Sequence, residues 1–332
     1  MKNYLLTISL ILIASCSTEV SNDSVTIFTS RQPQLIEPIL EKYKQKTGIK
    51  VNLLSGNAQQ LMERIDIEGN KSEADIFMTV DAGVLWQASE RGILASIQSD
   101  TLDRNIPLHL RDINGQWFGL SKRARTIVFS SDQYTKDDFS SYEDLSNPKW
   151  AGKLCLRTSK KIYNRSLLAS MIEANGFDNT KQVVEGWVKN LATDVFSNDT
   201  NALKAVSSGQ CGLTVVNTYY LARLKTDSTY DNLTLFWANQ EDRGVHVNIS
   251  GAGIVKTSKN KEQAIKLLEY LSSAEAQDDY ASANKEYPVL IGASVDASIA
   301  QWGEFVEDTI GVEKLGKLQK EAVFLAQEAE YN

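Results

Sequence analysis

The sequence is poor in the residues that most catalytic and zinc-type sites are built from. It has only two histidines and three cysteines in 332 residues. Zinc-type cysteine spacing is absent, and so are a P-loop, a G-x-S-x-G elbow and a complete dinucleotide fingerprint; Gly251-Ala252-Gly253 lacks the rest of that motif. Enzyme readings that need a nucleophile–base pair therefore have little to stand on. The balance is acidic, with a formal net charge of −7 and no run of Lys or Arg, which disfavours a nucleic-acid partner. No internal repeat and no low-complexity stretch appears. Beyond the N-terminus, no segment is long and apolar enough to cross a membrane.

What is present begins with a processing signal. Lys2 precedes a mostly apolar run from Tyr4 to Ile13, too short to span a bilayer, and Ile13-Ala14-Ser15-Cys16 fits a lipobox. The expectation is removal of residues 1–15, lipidation of Cys16 and a polar tether over 16–23; an ordinary secretory signal with an incidental cysteine is the alternative. An odd cysteine in an exported chain is explained without a free thiol if Cys16 carries lipid and Cys155 pairs with Cys211.

The rest suits two lobes. Strand and helix signals alternate: strands at Val25–Thr29, Ile49–Leu54 and Ala74–Thr79, with helices near Gln34–Thr47, Gln59–Ile67 and Gly83–Arg91. Further helices fall near Lys181–Ala192 and Thr200–Ser208. The alternation predicts α/β lobes with mainly parallel central strands. Thr126–Ser130 and His246–Ser250 read as crossovers between the lobes. The first lobe is then 24–125 plus 250–296, and the second 126–249 plus 297–332.

The chemistry concentrates in tyrosines. Gly212–Tyr220 reads as a buried strand turning into a helix, which puts Tyr219 and Tyr220 in its first turn at the carboxyl end of the strand. Neighbours on a helix point about 100° apart, so one apolar face cannot absorb both rings. Phenolate oxygen is hard and anionic and suits a hard trivalent cation such as Fe3+; a Tyr pair alone is equally compatible with rim packing. A second segment repeats the pattern: Tyr163 follows Cys155 by eight positions, as Tyr219 follows Cys211. If the two cysteines are bridged, neighbouring strands deliver tyrosines to one cleft, where three phenolates would neutralise Fe3+. Coincidental spacing is the other reading.

Other residues have simpler readings. Arg123 and Arg125 are expected to face opposite sides of their strand, so that one enters the cleft. Thr158 and Ser159 are expected to cap the helix bearing Tyr163, whose N-terminus would favour an anion there; simple capping without ligand contact is the alternative. Asp81 is a helix N-cap, and His109 and His246 are structural.

Ser30–Pro38, Ala74–Gly83, Ser121–Arg125, Cys155–Ser166, Asn217–Tyr220 and Arg243–Gly253 together resemble the ferric-ion-binding proteins of bacterial ABC importers. The resemblance runs through almost all of the mature chain. It implies a two-lobed α/β periplasmic-binding-protein fold with two hinge crossovers, related to the transferrin lobe. It implies Fe3+ held in the interlobe cleft by Tyr163, Tyr219 and Tyr220, and an anion such as carbonate on Arg123, with Arg125 the register alternative. It further implies a monomer that hands iron to a membrane permease and its ATPase outside the cytoplasm. Many members add a His from the loop after the first strand; here Gln32-Pro33 stands there, which resembles the subgroup using tyrosines and an anion alone. A small organic ligand, such as a polyamine or phosphorylated compound, is the alternative cargo.

Overall fold

A computed structural model describes residues 24–332; Cys16 and the leader lie outside the described residues. Among the described residues eight strands are formed: β1 (Ser24–Thr29), β2 (Lys50–Ser55), β3 (Ile76–Thr79), β4 (Phe118–Ser130), β5 (Leu154–Cys155), β6 (Leu213–Asn217), β7 (Leu233–Phe236) and β8 (Val247–Ile254). They run in the order β2-β1-β3-β8-β4-β6-β5, with β7 also on β4. The architecture is a two-lobed periplasmic-binding-protein fold.

Local signals place the helices that flank these strands. Glu37–Thr47 buries Ile39, Leu40 and Tyr43, and stops at Gly48, whose φ of 78° is the left-handed conformation glycine adopts freely. Asn57 caps Ala58–Glu68, accepting from Gln59 and Gln60 N–H, and Asp81 caps Ala82–Glu90 through Gly83 N–H.

The sheet departs from the parallel expectation. β1 is parallel to β2 and β3, and β5 to β6, but every pairing of β4 and β8 is antiparallel. Long strands running through the middle of the molecule return against their neighbours, a feature that alternation of helix and strand does not encode. β4 changes partner along its length. Phe118–Ala124 pairs with β8, and Arg125–Phe129 pairs with β6. Every residue of β4 except Lys122 is buried.

Two consequences position the site. β6 ends at Asn217 and the helix Thr218–Leu224 starts at once, with Tyr219 and Tyr220 in its first turn. β5 lies beside β6 in parallel, with Leu154 opposite Leu213. Cys155, at the end of β5, is joined to Cys211, just before β6, at a Cα separation of 5.9 Å, which suits a disulfide. Mass spectrometry of the exported protein under non-reducing conditions is expected to find this pair bridged; both thiols free would refute it.

Candidate metal centre

Tyr163, Tyr219 and Tyr220 line one cavity of about 140 Å³. Ser30, Arg31, Gln32 and Val80 close it from the side of β1 and β3, Arg123 and Ser250 from the crossing strands, and Arg223 from beside the tyrosines. Larger grooves of about 510 and 590 Å³ elsewhere bring no group of phenols together. Among the described residues, no group of three His, Cys, Asp or Glu side chains could hold a metal. Metal chemistry here would rest on phenolate oxygen.

The Tyr219 and Tyr220 rings are 4.4 Å apart between centroids and tilted by 39°. Asn217 Nδ2 donates to the Tyr219 hydroxyl at 3.2 Å. Arg123 and Arg157 flank the Tyr163 ring at 5.3 and 5.4 Å, and Arg223 lies 4.9 Å from the Tyr219 ring. Burial raises the Tyr163 pKa, with Arg123 opposing. Burial raises Tyr219 well above a free phenol, and the neighbouring phenols Tyr163 and Tyr220 add to it. Burial thus favours the protonated form of both phenols. A trivalent cation would reverse that balance, because the ion's own charge dominates its surroundings.

Arg123 enters this cavity and Arg125 does not. Residues two apart in a strand share a face, so the pleat does not separate them as expected; their partners do. Arg125 is buried and clamped by Asp199 (Nη1–Oδ2 2.8 Å), the Val215 carbonyl (2.8 Å) and Asn217 Oδ1 (3.2 Å). Arg123 reaches the Val80 carbonyl and Ser250 Oγ (3.3 Å), and its buried Nε has no partner.

Thr158 and Ser159 do not cap the Tyr163 helix and do not line the cavity. That helix, Ile162–Asn175, has Lys161 at its N-cap position and no side-chain cap. Thr158 Oγ1 accepts from Lys160 N–H at 3.3 Å, and Ser159 Oγ donates to the Tyr331 carbonyl at 2.6 Å. The start of the helix lies three residues beyond the Ser/Thr pair, because the chain makes a turn there first.

Asp81 is the N-cap expected, and it does more. Its Oδ2 accepts from Ser166 Oγ (2.8 Å) on the Tyr163 helix and from Asn248 Nδ2 (2.7 Å) on β8. Both histidines lie away from the cavity. His109 Nε2 meets Glu307 Oε1 at 3.0 Å. His246 is buried; burial first, then Arg125, Arg123 and Arg243, push its pKa down to about 3. A group depressed below its unfolded value of about 6.5 stabilises the fold above that pH and loses this contribution as pH falls towards 3. The ligand-free protein is thus expected to lose stability steadily below about pH 6.5, and His246→Phe to flatten that slope in urea titrations across pH.

Several cavity residues carry signals that composition and spacing passed over. Arg223 stands four positions after Tyr219 on one helix, a spacing that puts both on one face. Arg31 pairs with Glu286 at 2.9 Å, and Ser121 Oγ donates to the same carboxylate at 2.5 Å. Burial opposes ionisation of Glu286, but Arg31 and Arg123 outweigh it and hold the carboxyl below the ordinary range. The pair is 255 residues apart in sequence, so no local pattern announces it.

Residues 28–278 match the family model of the bacterial extracellular solute-binding proteins. Iron uptake protein A1 of Synechocystis sp. is 42% identical over 318 residues, covering 94% of this chain and 88% of that protein. A solved Trichodesmium structure, described as in complex with iron and citrate ligands, is 43% identical with a TM-score of 0.90, covering 93% of this chain and all of that one. Ferric iron-binding protein A of Mannheimia haemolytica, solved in an open conformation, is 38% identical with a TM-score of 0.86, covering 93% of this chain and 98% of that one. These likenesses extend along the chain rather than to one motif: it belongs to the bacterial extracellular solute-binding proteins, in their ferric-iron-binding group, and is a binding protein rather than an enzyme.

Proposed function

We propose that this protein captures Fe3+ between its lobes and delivers it to a membrane permease driven by an ATPase. The observation that carries the reading is the convergence of Tyr163, Tyr219 and Tyr220, from two strand-to-helix turns, on one cavity flanked by arginine. Three phenolates carry the charge that neutralises a ferric ion, and their hard oxygen suits it. The names of the relatives, iron uptake and ferric iron binding, support the same cargo. With Gln32 where a first-lobe histidine would stand, the protein ligands are the tyrosines alone. An anion completes the site against Arg123. Carbonate is the expectation from family resemblance, whereas the Trichodesmium relative is described with citrate, so a small carboxylate is the competing occupant. Thr158 and Ser159 are not assigned to it, since neither faces the cavity. The lobes divide as the sequence reading has them, at about residues 125, 250 and 296. The protein works as a monomer, anchored outside the cytoplasm by lipid on Cys16.

Ligand-free protein mixed with ferric citrate tests this reading. Tyrosinate-to-iron charge transfer is expected to colour the solution red. Because bound phenols must lose protons, affinity is expected to rise with pH and iron to be released as pH falls below neutral. Supplying carbonate or citrate should shift the release midpoint. No colour, or release that stays flat from neutral to about pH 4, near the unperturbed carboxylate range, would contradict it. Binding of a polyamine or phosphorylated compound without colour would instead favour the organic-cargo reading.

A further inference from the structure

Tyr331 and Asn332 are far from the tyrosine cluster in sequence, but they close over the turn that presents Tyr163. The Tyr331 hydroxyl donates to the Arg157 carbonyl at 2.5 Å and accepts from Asn164 Nδ2 at 2.9 Å. Asn164, the next residue after Tyr163, also donates to the carbonyls of Arg157 (2.7 Å) and Thr158 (3.1 Å). Ser159 returns the contact, its Oγ donating to the Tyr331 carbonyl (2.6 Å) and its N–H to the Asn332 carbonyl (2.9 Å). Both donor and acceptor capacities of the Tyr331 hydroxyl are thereby used. Tyr331 is 3% exposed and Asn164 4%.

Two independent features make this more than tail packing. First, the Tyr163 helix has no side-chain cap at its N-cap position, Lys161, so the turn before it is held by Asn164, which the Tyr331 hydroxyl engages in turn. Second, the backbone bends to bring Tyr331 there. After the helix Gln319–Glu328, Tyr331 N–H bonds to the Ala326 carbonyl and Glu330 N–H to the Gln327 carbonyl, the two bonds of a Schellman ending. The left-handed residue of that ending is Glu330, at φ 55°, where glycine is the unstrained choice. Strain of this kind persists only where the surroundings enforce it. Arg157, whose carbonyl is held, stands 5.4 Å from the Tyr163 ring, so the clamp fixes the turn that leads into the tyrosine and one of its cationic neighbours together.

Resting on the iron reading above, we propose that Tyr331, with Asn164 and Ser159, is a positioning residue for the Tyr163 phenolate. It sets how firmly that oxygen is held at the metal and leaves Tyr219 and Tyr220 to their own helix.

A double-mutant cycle on iron-loaded full-length protein tests this, read as the rate of iron loss to a strong chelator and as the charge-transfer maximum. Tyr331→Phe removes the hydroxyl and keeps the ring. In the wild-type background it is expected to speed iron loss about tenfold, the scale of one buried hydrogen bond, and to shift the band without abolishing it. In a Tyr163→Phe background it is expected to add nothing further. Equal acceleration in both backgrounds would mark a general loosening and overturn the proposal, as would no acceleration in the wild type. Ser159→Ala, which removes one buried contact to the Tyr331 carbonyl and leaves the Tyr331 hydroxyl in place, is run in parallel and answers the same question if Tyr331→Phe fails to fold. A wild-type protein that never develops the band would overturn the iron reading itself, a result distinct from either.

Discussion

Replacing Tyr219 or Tyr220 by Phe is expected to weaken and shift the visible band of the iron-loaded protein while leaving the fold in place. Phe keeps the ring and removes only the donor oxygen. Tyr219 is buried and its ring packs against Tyr220 at 4.4 Å, a contact that Phe preserves. Its hydroxyl gives up the hydrogen bond from Asn217 Nδ2 and the one it shares with the Tyr163 hydroxyl. Stability should then change by only about 1 kcal/mol for each, the usual net worth of such a bond. Iron affinity should fall by more than the roughly 10- to 100-fold that losing an outer-shell partner costs, because a ligand itself is gone. Tyr163→Phe should weaken binding likewise. Equilibrium chelator competition with thermal melting separates the two effects: a red colour unchanged in all three variants would remove the tyrosines from the site.

The opposite profile is expected at Arg125, whose neighbour in sequence, Arg123, lines the cavity. Arg125→Met should destabilise the ligand-free protein by about 3–5 kcal/mol, the scale for breaking a buried ion pair from one side. Asp199 is fully buried and would lose its 2.8 Å partner. Arg157, at 3.7 Å from the other carboxylate oxygen, is too far to replace it fully. The Val215 carbonyl and Asn217 Oδ1 lose a donor as well, and Asn217 is the residue that supports Tyr219. Arg123→Met should instead melt near the wild type and show its defect in the anion dependence of iron binding. Urea unfolding of both variants decides the matter; equal losses would mean that the two arginines share one role.

How much of this the sequence discloses depends on how local each feature is. The turns that present Tyr163, Tyr219 and Tyr220 are legible because each is a short apolar run breaking into a helical pattern, a signal contained in about ten residues. The Asp81 cap and the glycine stop at Gly48 are local in the same sense. The direction of β4 and β8 is not, since antiparallel return across the molecule depends on which strands meet. The Arg31–Glu286 pair and the bond from the Tyr331 hydroxyl to the Arg157 carbonyl join residues 255 and 174 apart, beyond any window of periodicity. Ser159 illustrates the cost of reading composition alone. Its position before a helix suggests a cap, but the tail takes its hydroxyl. Arg125 follows the same logic: its identity as a cleft or core residue is settled by Asp199, a partner 74 residues away.

The most direct test of the central claim is an anomalous-scattering map at the iron edge from a crystal of the iron-loaded protein. The account predicts one strong peak in the cavity, within bonding distance of the hydroxyl oxygens of Tyr163, Tyr219 and Tyr220, with density for an anion between the metal and Arg123. A peak outside that cavity, or one there that touches none of the three oxygens, would contradict it.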